Sequence, residues 1–163
     1  MHIFIKNKYL IFKDYRIKCA VGKRGIGKKT QEGDLITPIG TYKINFILYR
    51  NDRVKKLQTS LKKIVITKNM GWCDDTNSTK YNKLIKLPFN FSCEKLYKKS
   101  NIYDIIIVLN FNMNPVKKNK GSAIFIHVAK KGFKNTEGCI ALKKIDLLKI
   151  IKFIKKTTKV KII

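Results

Sequence analysis

Apolar residues in this chain come in short β-branched runs separated by turn formers, a pattern that builds strands and leaves little room for helices. Residues 3–12 are apolar but broken at Asn7-Lys8, which predicts a hairpin, and residues 15–21 alternate as a third strand would. Further strands are predicted at 41–49, 64–67, 103–110, 122–128 and 159–163, most strongly at the unbroken apolar run 105–109. Residues 144–156 carry Ile145, Leu148, Ile151, Phe153 and Ile154 at roughly helical spacing. A helix is expected at 93–99, and residues 51–63 read as a loop or short helix. The glycine-rich stretch Gly22-Lys23-Arg24-Gly25-Ile26-Gly27 matches neither G-x-G-x-x-G nor a Walker loop, since Gly27-Lys28-Lys29-Thr30 is a poor mimic. It reads as a mobile surface loop and not as a phosphate cradle.

The 163 residues suit one domain, taken as residues 1–163, with enough apolar material for a core. A formal charge of +27 would draw the chain to polyanions. Nearly all of that charge is Lys, spread along the chain, with Arg only at 16, 24, 50 and 53. Proteins that read bases exploit the planar fork of Arg, so nucleic acid is disfavoured as the main partner. Attraction to an anionic envelope polymer or membrane surface fits the same charge equally well. The four cysteines, at 19, 73, 93 and 139, form no C-x-x-C pair, and the two histidines cannot build a multi-His site, so no metal is expected. Cys19 reads as core, and Cys73 and Cys93 as buried thiols that would pair only in an oxidising compartment. No apolar stretch approaches the roughly 20 residues of a spanning helix. Residues 1–6 have no sustained apolar core or small-residue cleavage site, and read as a first strand and not as a signal peptide.

Chemistry concentrates near the far end. His127 closes the apolar strand Ile124-Phe125-Ile126, eleven residues separate it from Cys139, and Cys139 follows Thr136-Glu137-Gly138. A thiolate nucleophile needs a neighbouring imidazole to take its proton or lower its pKa. Gly138 beside the thiol lets backbone amides approach a developing oxyanion. The competing reading is a buried thiol and a rim histidine with no chemistry between them.

The run Thr136-Glu137-Gly138-Cys139-Ile140-Ala141-Leu142 after His127 resembles the signature of the L,D-transpeptidase catalytic domain (YkuD-like). Thr37-Pro38-Ile39-Gly40-Thr41-Tyr42 looks like that family's early T-P-x-G turn. Gly71-Trp72-Cys73-Asp74-Asp75, Tyr81-Asn82, Tyr103-Asp104 and Gly121-Ser122-Ala123 leading to His127 are similar to a bacterial branch of it. The resemblance covers about residues 15–163, with a motif core at about 37–142. It implies a mainly β (α+β) fold, a β-sandwich of mixed sheets with a small helical element. It also implies acyl transfer on diaminopimelate-containing peptidoglycan stem peptides through a thioester, with no cofactor. By the same resemblance Cys139 is the nucleophile, His127 the acid/base, Gly138 and Cys139 the oxyanion amides, and Thr136 the residue near the histidine. Trp72, Asp74, Asp75, Tyr81 and Glu137 are candidates for substrate contact. Trp72 reads more readily as a core anchor, and the two aspartates equally well as turn caps.

The chain departs from many relatives at Glu137 (His there), Ala141 (Arg), Val128 (Gly) and Cys93 (His of a Ser-His-Glu run). These changes leave open the balance between transfer and carboxypeptidase or endopeptidase cleavage. A cell-envelope or periplasmic location and a monomer are expected, the former in tension with the opening residues. Two other functions compete: a polyanion-binding module, resting on charge alone, and a wall-binding relative without catalysis.

Overall fold

The structure is a computed structural model and describes residues 2–163. Met1, which the first-strand reading included, lies outside the described residues. The chain opens with β1 (His2–Lys6) and β2 (Tyr9–Phe12), joined at Asn7 and Lys8. Both take positive φ, 48° and 61°, the two-residue turn whose twist matches that of paired strands. Then come β3 (Tyr15–Lys18), the short parallel pair β4 (Ile26–Gly27) and β5 (Thr37–Pro38), and the long β6 (Gly40–Tyr49). β7 (Lys63–Val65), β8 (Met70–Cys73), β9 (Leu84–Lys86) and β10 (Cys93–Lys95) fill the middle. β11 (Ile105–Leu109), β12 (Phe125–Val128), β13 (Ile140–Leu142), α1 (Lys144–Ile151) and β14 (Lys159–Ile162) complete it.

The fold is mainly β, with mixed sheets and one helix. The large sheet runs β13-β12-β11-β6-β14-β1-β2-β3, with β7 added alongside β6. Its two ends meet: Ala20, just past β3, exchanges backbone hydrogen bonds of 2.8 and 2.9 Å with Ala141 of β13. The sheet therefore curls into a nearly closed barrel. The separate sheet β10-β8-β9 covers one part of its outside.

β11 explains the strongest sequence signal. Ile105, Ile107 and Leu109 enter the core inside the curled sheet, with Leu147, Ile150 and Ile151 of α1. Ile106 and Val108 enter a second core beneath the three-stranded sheet, with Trp72, Leu96 and Phe125. A strand buried on both faces reads as continuous apolar sequence. Each such side chain contributes roughly 1.5–3 kcal/mol by leaving water.

Two expectations, the helix at 93–99 and the mobile glycine-rich loop, are corrected, and of the two readings of 51–63 the loop is the one found. Residues 93–99 form no helix: Cys93–Lys95 is a strand laid against β8, and Tyr97 is held under the Arg50 guanidinium at 3.5 Å. Long-range pairing overrides the local helix preference of Glu-Lys-Leu. Residues 51–63 hold no helix either, and are anchored by buried Val54, Leu57 and Leu61. The glycine-rich loop is pinned, not mobile: the Gly22 N–H donates to Thr37 Oγ1 at 2.8 Å, and a Cβ at Gly22 would lie 2.3 Å from the Leu35 carbonyl oxygen.

Candidate active site

β12 and β13 are parallel neighbours, with His127 opposite Ala141 and Ile126 opposite Ile140. Side chains alternate faces along a strand, so Phe125 and His127 share one face. The register carries that face across to Ala141 and to Cys139 just before β13. All four line one cavity of about 420 Å³ between the curled sheet and the three-stranded sheet. The residue pattern thus brings the thiol and the imidazole to one wall as diagonal neighbours.

Cys139 Sγ donates to the Ala123 carbonyl oxygen at 3.2 Å and accepts the Phe125 N–H at 3.4 Å. It makes no hydrogen bond to His127 in this resting arrangement, so proton transfer between them requires the thiol to turn away from Ala123. Burial pushes the Cys139 thiol up to about 12, opposed by the Phe125 N–H. His127 Nδ1 lies 2.9 Å from the Val128 carbonyl oxygen. A carbonyl only accepts, so that contact assigns the proton to Nδ1 and leaves the lone pair on Nε2, the form a general base needs. Tyr103 sets the ring's plane edge-to-face at 5.5 Å. Burial pulls the imidazole down to about 4, against the pull of the Val128 carbonyl. Burial thus favours the uncharged form of both thiol and imidazole, which suits proton removal during attack better than a standing thiolate–imidazolium pair.

That depressed histidine has a measurable consequence for stability. Its folded value lies below the ordinary 6.5, so its contribution is present above pH 6.5 and is lost as pH falls towards 4. Between pH 7 and pH 5 the loss is about 2 kcal/mol. Thermal unfolding should show Tm falling by roughly 4–8 °C over that interval. A His127→Phe protein, which keeps the ring but cannot titrate, should show a flatter curve. An identical fall in both proteins would assign the effect to other groups.

Thr136 Oγ1 donates to the Cys139 carbonyl oxygen at 2.5 Å and accepts the Gly138 N–H at 3.2 Å. Thr136 therefore braces the turn, and the Gly138 N–H, one of two expected oxyanion donors, is already engaged. Gly138 has φ +140°, and a Cβ there would meet the Ile36 carbonyl oxygen at 2.9 Å, so the position admits only glycine without strain.

The remaining candidates separate. Trp72 is 2 % exposed and packs edge-to-face on Phe125 at 5.2 Å, a core anchor with an edge on the cavity wall. Asp74 and Glu137 also line the cavity, and Asp74 Oδ1 is buried without a hydrogen-bond partner. Asp75 stands outside it: its carboxylate accepts the Asn77 N–H at 2.9 Å and the Ser92 N–H at 3.2 Å, the bonding of a turn cap. Tyr81 is also outside, buried, with its hydroxyl donating to Glu32 and accepting the Gly121 N–H at 3.1 Å. Cys73 and Cys93 are free thiols directly opposite on β8 and β10.

Sequence reasoning missed Lys29, Glu32, Glu94 and Tyr103, which line the same cavity. It also missed the central place of Asn82, 1 % exposed. Asn82 accepts Trp72 Nε1 at 3.0 Å and the Ala123 N–H at 2.9 Å, and donates to the Phe111 and Asn112 carbonyl oxygens at 3.0 and 2.7 Å. The Tyr81-Asn82 motif match pointed to the place but not to this role, and the Asn82 φ of 58° is a conformation that asparagine tolerates better than most residues. Among the described residues, no cluster of His, Cys, Asp and Glu could hold a metal ion, and no helix is long and apolar enough to cross a membrane.

A thiol and an imidazole on adjoining strands of a curled β-sheet, facing one cavity, define a cysteine–histidine site in a mainly β domain. The family model for the L,D-transpeptidase catalytic domain (YkuD) matches residues 2–162, and the chain belongs to that family. No curated protein matches the chain.

Proposed function

We propose that this protein is a cysteine-dependent acyltransferase acting on diaminopimelate-containing stem peptides of peptidoglycan, with Cys139 as nucleophile and His127 as acid/base. The observation that carries this reading is the placement of Cys139 and His127 as diagonal neighbours on one cavity wall, in a chain of the L,D-transpeptidase family. Cys139 Sγ attacks the acyl carbonyl while His127 Nε2 takes the thiol proton. Collapse of the tetrahedral intermediate forms a thioester and expels the following D-residue as an amine, which receives the proton from His127. An amine of a second stem, or water, then attacks the thioester and frees the thiol.

The cavity's composition supports a zwitterionic peptide. Four of the ten acidic residues, Glu32, Asp74, Glu94 and Glu137, line it beside Lys23, Lys29, Lys98, Lys130 and Lys134. Such a lining offers partners to ammonium and carboxylate groups together. The substrate class would place the protein at the cell envelope.

The test is incubation of the purified protein with a diaminopimelate tetrapeptide stem, read by intact-protein and product mass spectrometry. The expected result is an acyl adduct on the Cys139 peptide, with crosslinked product if an amine resolves it or shortened peptide if water does. A folded protein that forms neither adduct nor product would overturn the reading.

A further inference from the structure

Lys29 is an unusual lysine for this chain. Most of the 37 basic residues cover the surface, but the Lys29 side chain is 3 % exposed and reaches the cavity that holds Cys139. A buried ammonium persists only where the fold has made room and charge for it. Both provisions are visible. Gly121 and Gly138 flank the side chain: a Cβ at Gly121 would lie 2.4 Å from Lys29 Cε, and one at Gly138 would lie 3.7 Å from Lys29 Nζ. Asp34 supplies the charge, with Oδ1 2.5 Å from Nζ.

Asp34 has no capacity to hold the ammonium entirely. Its oxygens also accept the N–H groups of Thr30, Gln31 and Ile36. Burial would raise its carboxyl, but Lys29 and those N–H groups hold it at about 2. Lys29 has three donors, and Asp34 is the one acceptor found for them among the described residues. Asp34 stands behind the cavity wall while Lys29 is part of it, so the pair presents its positive end to the cavity. The ammonium also lies beside Gly138, whose N–H is already engaged by Thr136 Oγ1. One of the two expected oxyanion amides is therefore engaged, and the cation stands beside it.

We propose that Lys29 is the cationic donor to an anionic oxygen of the acyl substrate at Cys139, with Asp34 as the residue that positions it. This rests on the acyl-transfer reading for the substrate but not for the charge that Lys29 delivers to Cys139. The anionic oxygen has two possible sources, the attacked carbonyl in its tetrahedral form or a carboxylate of the stem peptide.

Two readouts on Lys29→Met, Lys29→Arg and the double variant Lys29→Met/Asp34→Asn test it. The double variant removes both buried charges and keeps the test usable if Lys29→Met fails to fold. The first readout, the rate of Cys139 alkylation by iodoacetamide against pH, followed on the Cys139 peptide, needs no stem peptide. Loss of the cation beside Gly138 should raise the thiol's titration by about one pH unit and slow alkylation about tenfold at fixed pH, with Lys29→Arg close to the parent. The second is steady-state kinetics on the tetrapeptide stem, where kcat/KM should fall roughly 10–100-fold. A fall in kcat at constant KM identifies the tetrahedral oxygen, and a rise in KM at constant kcat the substrate carboxylate. A shifted alkylation profile in a protein that never turns over stem peptide would keep Lys29's role and remove the proposed substrate. A folded double variant unchanged in alkylation and in kcat/KM would overturn the proposal.

Discussion

Cys139→Ala is expected to fold normally and to form no acyl adduct, with turnover down by at least about 10⁴-fold. The residue is small and its sulfur, though set against the second core, makes two weak contacts, to Ala123 and Phe125, so its truncation removes little packing. Tm should change by no more than a few degrees, because the loss amounts to about 1 kcal/mol or less. The chemistry has no second route. Cys19 is buried, and Cys73 and Cys93 lie on the three-stranded sheet and outside the cavity lining, so none can replace the missing sulfur. Intact-mass analysis after exposure to the stem peptide, beside a thermal melt, separates lost chemistry from lost fold. A folded Cys139→Ala protein with full activity would eliminate the thioester mechanism.

The second large effect is expected at Asn82, which touches no reacting atom. Asn82→Ala leaves a buried indole N–H, one backbone N–H and two carbonyl oxygens without their partner. Each such group costs about 1–3 kcal/mol, and the costs do not fully add. Alanine is also disfavoured at a φ of 58°. A total near 4 kcal/mol, or a Tm fall of roughly 8–16 °C, is the expected outcome in a thermal melt. Activity should fall as well, because Asn82 holds the Ala123 N–H and the Ala123 carbonyl receives the Cys139 thiol. An Asn82→Ala protein within 3 °C of the parent Tm would show that the surrounding loops repair themselves around the loss.

Features with a local cause were legible in the sequence. The hairpin at Asn7-Lys8 and the doubly buried strand β11 each leave a mark within a few residues. Features made by distant pairing were not. β10 reads as helical because Glu-Lys-Leu says nothing of its pairing with Trp72, 22 residues before Glu94. Asp75 and Tyr81 sit in motif positions beside cavity residues, yet their polar groups are taken by Asn77 and Ser92 in one case and Glu32 and Gly121 in the other. Lys29 was illegible for a different reason: in a chain this rich in lysine, its burial, and nothing in its sequence neighbourhood, sets it apart. The grouping of His127 and Cys139 on one wall was anticipated from the motif, while the missing bond between them was not.

The strand order also constrains when the domain can assemble. β14 occupies the place between β6 and β1, parallel to β1 and antiparallel to β6. During synthesis the hairpin of residues 2–12 emerges early, but its place in the sheet exists only once residues 159–162 have left the ribosome. Until then the edges of β1 and β6 both stand open, each a template for pairing with another chain. The nascent chain meets this interval heavily like-charged, with Lys at both ends of the waiting gap: Lys6 and Lys43 on the open strands, Lys159 and Lys161 on the strand that fills it. Like charge on these strands opposes edge-to-edge pairing between two unfinished copies, so the lysines act on folding as well as on the finished surface.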